Sequence, residues 1–154
     1  MDAQIGHEKT MTGLMPVLAG AGLIYGMGMM DMGIAVSYEQ LLMDAEFVRM
    51  FKRAEQGITV NEDTLALEVI KAVGPAGTYL GQKHTMKHMR KEISTAKLID
   101  RKSYSAWEKE GSADIVQRAN KEAKKILAEH EPKRLSQEVI RAMDEIITKA
   151  LNMR

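Results

Sequence analysis

Apolar residues along this chain recur with the three- and four-residue spacing of helix faces far more often than with the two-residue alternation of strands. The first such stretch, over about residues 4–19, gathers Met11, Leu14, Met15 and Leu18 on one side of a helix. A break at Gly20-Ala21-Gly22 follows, and Leu23-Ile24-Tyr25 then forms the one clear strand. From Gly26 to Gly33 the sequence is a glycine-rich loop at that strand's end. Ser37 opens the next helix, and Gln40 stands where it can reach back to complete a capping box. Leu41, Leu42, Ala45 and Val48 carry its apolar stripe toward a stop at Gly57. Asn61 caps a further helix with Glu62 and Asp63 at its positive end and Leu65, Ala66, Val69, Ile70 and Val73 facing inward, ended by Gly74-Pro75. The pattern weakens over residues 76–99, where a short helix spans His84 to Glu92. Ser112 and Ser136 cap two more amphipathic helices, with Pro132 between them.

No charged residue occurs from Thr10 to Met30, a run long enough to cross a bilayer as a helix. Pro16 and the glycines Gly13, Gly20, Gly22, Gly26 and Gly28 punctuate it, so a helix and strand buried in protein are expected instead, with no membrane partner. A lone strand cannot satisfy its own backbone hydrogen bonds. Helix, apolar strand, glycine-rich loop and capped helix together make the unit of a parallel α/β fold. The strand therefore calls for neighbours from elsewhere. Residues 1–100 make up this α/β part, and 101–154 a helical tail.

Composition narrows the chemistry. Lysine and arginine total 22 against 21 acidic residues, and a formal charge of +1 gives no global field to draw nucleic acid or anionic lipid. Cysteine is absent, which removes disulfides, thiolate metal sites and a cysteine nucleophile, and fits a reducing cytoplasm. No secretory signal stands at the start, because Glu8 and Lys9 follow closely on Met1. Methionine occurs 13 times while aromatic residues make up 5%, so apolar contacts rest on flexible side chains.

Several residues stand where chemistry is placed in α/β folds. Tyr25, Gly26, Gly28, Asp31 and Gly33 lie where a strand hands over to its following loop. Met27, Met29, Met30 and Met32 offer soft thioethers, yet methionine fills gaps and adaptable surfaces more often than it binds metal. His84 and His88 have the spacing that stacks two imidazoles on a helix, but no glutamate completes an H-E-x-x-H zinc motif, and no metal site is expected. Lys83, Lys87, Arg90 and Lys91 form a local basic stretch. Tyr104 and Trp107 are expected to anchor the tail by burial. No nucleophile, paired-carboxylate or phosphate-loop motif is present, so no residue is assigned as catalytic.

The blocks Gly13-Leu14-Met15-Pro16-Val17-Leu18-Ala19-Gly20-Ala21, residues 25–33, Ser37-Tyr38-Glu39-Gln40-Leu41, Asn61-Glu62-Asp63-Thr64-Leu65-Ala66, Val73-Gly74-Pro75, residues 79–85 and Ala128-Glu129-His130-Glu131-Pro132 resemble, in order and spacing, the trimethylamine methyltransferase family. The resemblance implies the C-terminal part of a (β/α)8 TIM barrel. It implies transfer of a methyl group from trimethylamine, or a related quaternary amine such as a betaine, to a corrinoid bound by a separate partner protein. No cofactor is then bound directly, and the full-length enzyme is expected to form a homo-oligomer. In the trimethylamine branch the family's pyrrolysine would lie just upstream of Met1, where an amber codon read as a stop would truncate the frame. The family match adds His84 to Tyr25, Gly26, Gly28, Asp31 and Gly33 as candidates facing substrate or corrinoid. A small helical interaction protein is the alternative.

Overall fold

The computed structural model describes residues 1–153 and is mostly helical. The chain divides into two compact units, Met1–Lys124 and Lys125–Arg154.

In the first unit, helix α1 (Ala3–Leu18) starts at Asp2, whose carboxylate accepts the Ile5 amide at 3.2 Å. It lies against helix α2 (Tyr38–Glu55). Its inward side is not the predicted one. Met11, Met15 and Leu18 are exposed, while Gly13 is buried against the Phe51 ring. A Cβ at Gly13 would stand 2.5 Å from Phe51 Cε2, so the smallest side chain lets the two helices meet. The longer apolar side chains of α1 cannot make so close an approach and are left facing out.

The predicted strand at Leu23-Ile24-Tyr25 does not form. The segment carries no strand assignment, and Leu23 and Tyr25 are 82% and 83% exposed. The reason is physical: no second strand lies beside it among the described residues to take up its N–H and C=O groups. Pairing appears instead within the glycine-rich segment. Strand β1 (Met29–Met30) runs antiparallel to β2 (Ala35–Val36), with Met29 opposite Val36 and Met30 opposite Ala35. The turn between them takes Asp31, Met32 and Gly33 into positive φ at 48°, 51° and 90°.

Helix α2 is capped by Ser37, whose hydroxyl accepts the Gln40 amide at 3.2 Å. The predicted capping box is only half made, because the Gln40 side chain turns inward and donates to Asp44 Oδ1 at 2.7 Å. The core beneath α2 groups Met43, Leu98 and Ala119 with Leu42, Phe47, Ile115 and Val116. Glu46, 1% exposed, holds this core to residues 97–99: its Oε1 accepts the amides of Lys97 at 2.6 Å, Leu98 at 3.1 Å and Ile99 at 3.4 Å. Arg49 donates to its other oxygen.

The predicted helix over 61–73 is broken in two. Asn61 and Thr64 form a reciprocal cap on helix α3 (Glu62–Leu65), and Ala66 then turns left-handed at φ 52° before helix α4 (Leu67–Val73). Leu65 and Ile70, expected to face inward, are exposed, so nothing holds this stretch to one continuous stripe. Helix α5 (Lys83–Glu92) forms at the predicted place. Helix α6 (Tyr104–Lys109) starts at Ser103. Trp107 is half-buried and its indole N–H donates to the Ala113 carbonyl at 2.9 Å, whereas Tyr104 is exposed, its ring 5.6 Å from the tryptophan ring. The expectation of a buried Tyr104 is thereby corrected. Helix α7 (Ile115–Glu129) is capped by Asp114 rather than Ser112: Asp114 Oδ1 accepts the Gln117 amide at 2.7 Å and Gln117 Oε1 accepts the Asp114 amide at 2.9 Å. Ser112 is itself in the left-handed region at φ 53°, outside the extended geometry a cap requires.

In the second unit, helix α8 (Gln137–Asn152) is capped by Ser136 as predicted. Its apolar residues Val139, Met143, Ile146, Ile147 and Leu151 are exposed. No helix among the described residues is long and apolar enough to cross a membrane, and the uncharged run of residues 10–30 is divided between α1, a stretch without regular structure at 19–28 and β1.

Candidate functional site

The glycine-rich segment is held down by ionised side chains that the sequence pattern did not single out. Lys9, one turn before Gly13 on α1, reaches up to donate to the carbonyl oxygens of Gly26 at 3.1 Å and Met29 at 3.2 Å. Its ammonium also stands 3.2 Å from Asp44 Oδ2. Asp44 is 4% exposed and accepts the Gly28 amide at 2.8 Å through the same oxygen. Both ends of the segment's polar backbone are thus bound: carbonyls by an ammonium, an amide by a carboxylate. The Ser37 amide adds a bond to the Gly28 carbonyl at 2.9 Å.

Gly28 is the position where glycine is required. Its φ is +76°, and a Cβ there would lie 2.9 Å from Leu41 Cβ. With any other residue the segment could not press against the first turns of α2 and reach Asp44.

A cleft of about 130 Å³ opens between α1, α2 and this segment. Lys9, Gly13 and Asp44 line it with Tyr25, Phe47 and Phe51, among others. Tyr25, Phe47 and Phe51 give the cleft aromatic walls. Lys9 already neutralises Asp44, so the pair serves as a support for the loop and leaves no free acid or base in the cleft.

The predicted candidates fall in three places. Tyr25 and Gly26 line the cleft, and Gly28 is the backbone group strapped by Asp44. Asp31 and Gly33 stand in the hairpin turn, where Gly33's missing side chain makes room for Met29 Cε. His84 belongs to a separate cluster on α5: its Nε2 lies 2.6 Å from the Asp63 carbonyl oxygen, and its ring centroid lies 4.3 Å from that of His88. Lys9 and Asp44 were missed because each looks ordinary alone. The available signal was a charged residue on the α1 face bearing Gly6 and Gly13, and an aspartate four residues after Gln40 inside a buried stripe.

Two glutamates of α2, outside the cleft, are shifted from their ordinary values. Glu39 is lowered to about 2 by the Ser37 hydroxyl and then by the Asn120 amide, which ties α2 to α7. Burial pushes Glu46 upward, but the Arg49 guanidinium and three backbone amides outweigh it, leaving the group below its ordinary value.

The sequence profile described as trimethylamine methyltransferase matches residues 1–152. Over 146 residues the chain is 45% identical to the trimethylamine methyltransferase of Desulfitobacterium hafniense, covering 95% of this chain and 29% of that protein. It is 40% identical over 149 residues to a trimethylamine methyltransferase of Methanosarcina mazei, covering 97% and 30%. With the glycine betaine methyltransferase of Desulfitobacterium hafniense it shares 38% over 140 residues, covering 90% and 29%. The chain thus spans about three-tenths of the length of these relatives. With nearly all of its length matched, the chain belongs to the trimethylamine methyltransferase family.

Proposed function

We propose that this chain is the C-terminal part of an enzyme that moves a methyl group from trimethylamine to a corrinoid held by a partner protein. The observation carrying this reading is the match over residues 1–152. Relatives named for trimethylamine span 38% to 45% identity and one named for glycine betaine stands at 38%, so trimethylamine is the substrate to test first and a betaine the alternative. In the reaction the N–CH3 bond breaks, its electron pair stays on nitrogen, and the corrinoid supplies the cobalt centre that accepts the methyl group. The chain's own residues contribute placement. Lys9 and Asp44 fix residues 26–29, and Tyr25, Phe47 and Phe51 offer apolar and aromatic walls suited to the methyl groups of the amine. The exposed cations Lys83, Arg90 and Lys91 have the chemistry to meet a corrinoid phosphate. In this reading the whole enzyme is a (β/α)8 barrel, and this chain supplies its C-terminal part.

The test is cobalt methylation by the full-length enzyme bearing this sequence, followed by the absorbance change of its corrinoid protein. Trimethylamine is expected to be turned over in preference to glycine betaine. The Lys9→Met enzyme is expected to be slower by about a hundred-fold, the scale of a misplaced active-site segment. Turnover of neither amine would end the proposal, and preference for glycine betaine would move the enzyme to the betaine branch.

A further inference from the structure

A second group of functional side chains stands apart from the cleft, on helices that do not line it. Asp63 lies in the first turn of α3, while His84 and His88 lie one turn apart on α5. One ligand atom from each of the three falls within 4.8 Å of the others. His88 Nε2 is 3.1 Å from Asp63 Oδ2, and the His88 side chain is only 16% exposed. The Asp63 carbonyl 2.6 Å from His84 Nε2 can only accept, so Nε2 donates to it. A metal-binding histidine is ordinarily oriented in this way, with one nitrogen donating to an oxygen and the other free to coordinate.

Lys87 shares the same carboxylate oxygen, its ammonium 2.7 Å from Asp63 Oδ2. The incumbent partner of Asp63 is a flexible lysine able to swing away: the Lys87 side chain is 63% exposed. The geometry points to a divalent transition-metal site formed by Asp63, His84 and His88, of the two-imidazole, one-carboxylate type that zinc accepts, with Lys87 as the cation it displaces. The two histidines have the i, i+4 spacing of a single-helix zinc motif, and the third ligand is an aspartate brought from α3. The site is independent of the methyl-transfer reading, since none of its residues lines the cleft beneath Gly26.

Zinc binding to the full 154-residue chain, measured by competition with a chromophoric chelator, tests this, with cobalt(II) substituted to read ligand geometry from its visible absorption. One equivalent per chain is expected, with four-coordinate cobalt bands. Asp63→Asn and His88→Ala should each weaken binding by roughly ten-fold or more. His7→Ala and His130→Ala should leave it unchanged. Lys87→Met removes the competing cation and should tighten binding, a direction that loss of fold cannot imitate. No stoichiometric binding, binding that survives Asp63→Asn and His88→Ala, or a Lys87→Met chain that binds more weakly would each overturn the site.

Discussion

Two aspartate–lysine pairs in this chain differ mainly in how far water reaches them. Asp44 and Lys9 meet at 3.2 Å with side chains 6% and 27% exposed, while Asp63 and Lys87 meet at 2.7 Å with side chains 49% and 63% exposed. The shorter pair is the less consequential. At an exposed site, water screens the attraction and already solvates both ions, so proximity adds little. At Asp44 the carboxylate has left water, and its bonds to Lys9, Gly28 and Gln40 replace the hydration it lost. Burial rather than distance therefore decides which pair holds the fold and which is free to exchange its partner.

Removing one member of the buried pair gives the largest expected effect. Lys9→Met leaves Asp44 buried without its counter-ion and should cost about 3 kcal/mol, read as a fall in the urea midpoint. Hydrogen exchange at the Gly28 amide should quicken along with it, because that amide is bound by the same carboxylate. Unchanged exchange there would show that the segment does not depend on the pair.

Glu46 should come next. Glu46→Gln keeps an acceptor oxygen but loses the charge that three amides and Arg49 meet, at a cost of about 2 kcal/mol. Its folded-state carboxyl lies below the unfolded value, so its contribution is complete above about pH 4.5 and is lost as pH falls through the lower folded value. Glu39, at about 2 when folded, acts in the same direction over the window from about 4.5 down to about 2. The Glu46→Gln chain should accordingly lose less stability on acidification than the parent, measured as urea midpoints at pH 6 and pH 3.

Asp63→Asn is expected to have the smallest effect. Its urea midpoint should match that of the parent in the absence of metal, since water already solvates both members of the exposed Asp63–Lys87 pair. A marked fall would place the exposed pair on a level with the buried one and break the contrast.

The sequence foretold those elements whose physics is local. Asp2 aside, the caps at Ser37, Asn61 and Ser136 stand where a hydroxyl or amide precedes an amphipathic run, and the structure places helices there. Long-range partners were not legible. Leu23 to Tyr25 has strand composition, but pairing depends on residues beside it in space, and its exposed, unpaired state follows from their absence among the described residues. The inward face of α1 was misread because apolar bulk was weighed above the close approach that Gly13 allows. At the candidate site the glycines were visible as a motif, while Lys9 and Asp44 became meaningful only when α1 and α2 met. His84 and His88 were paired by their spacing, and Asp63 joined them across a break at Ala66 that no local signal announces.

The bond from Glu46 to residues 97–99 sets what substitutions that stretch can accept. The carboxylate grips only main-chain N–H groups, so it is indifferent to the side chains at Lys97 and Ile99, and many replacements there would leave the grip whole. Proline alone is forbidden at all three positions, because it has no N–H to offer. Related chains that keep a glutamate at this place on the second helix should drift freely in the character of those two residues while never admitting an imino acid among the three.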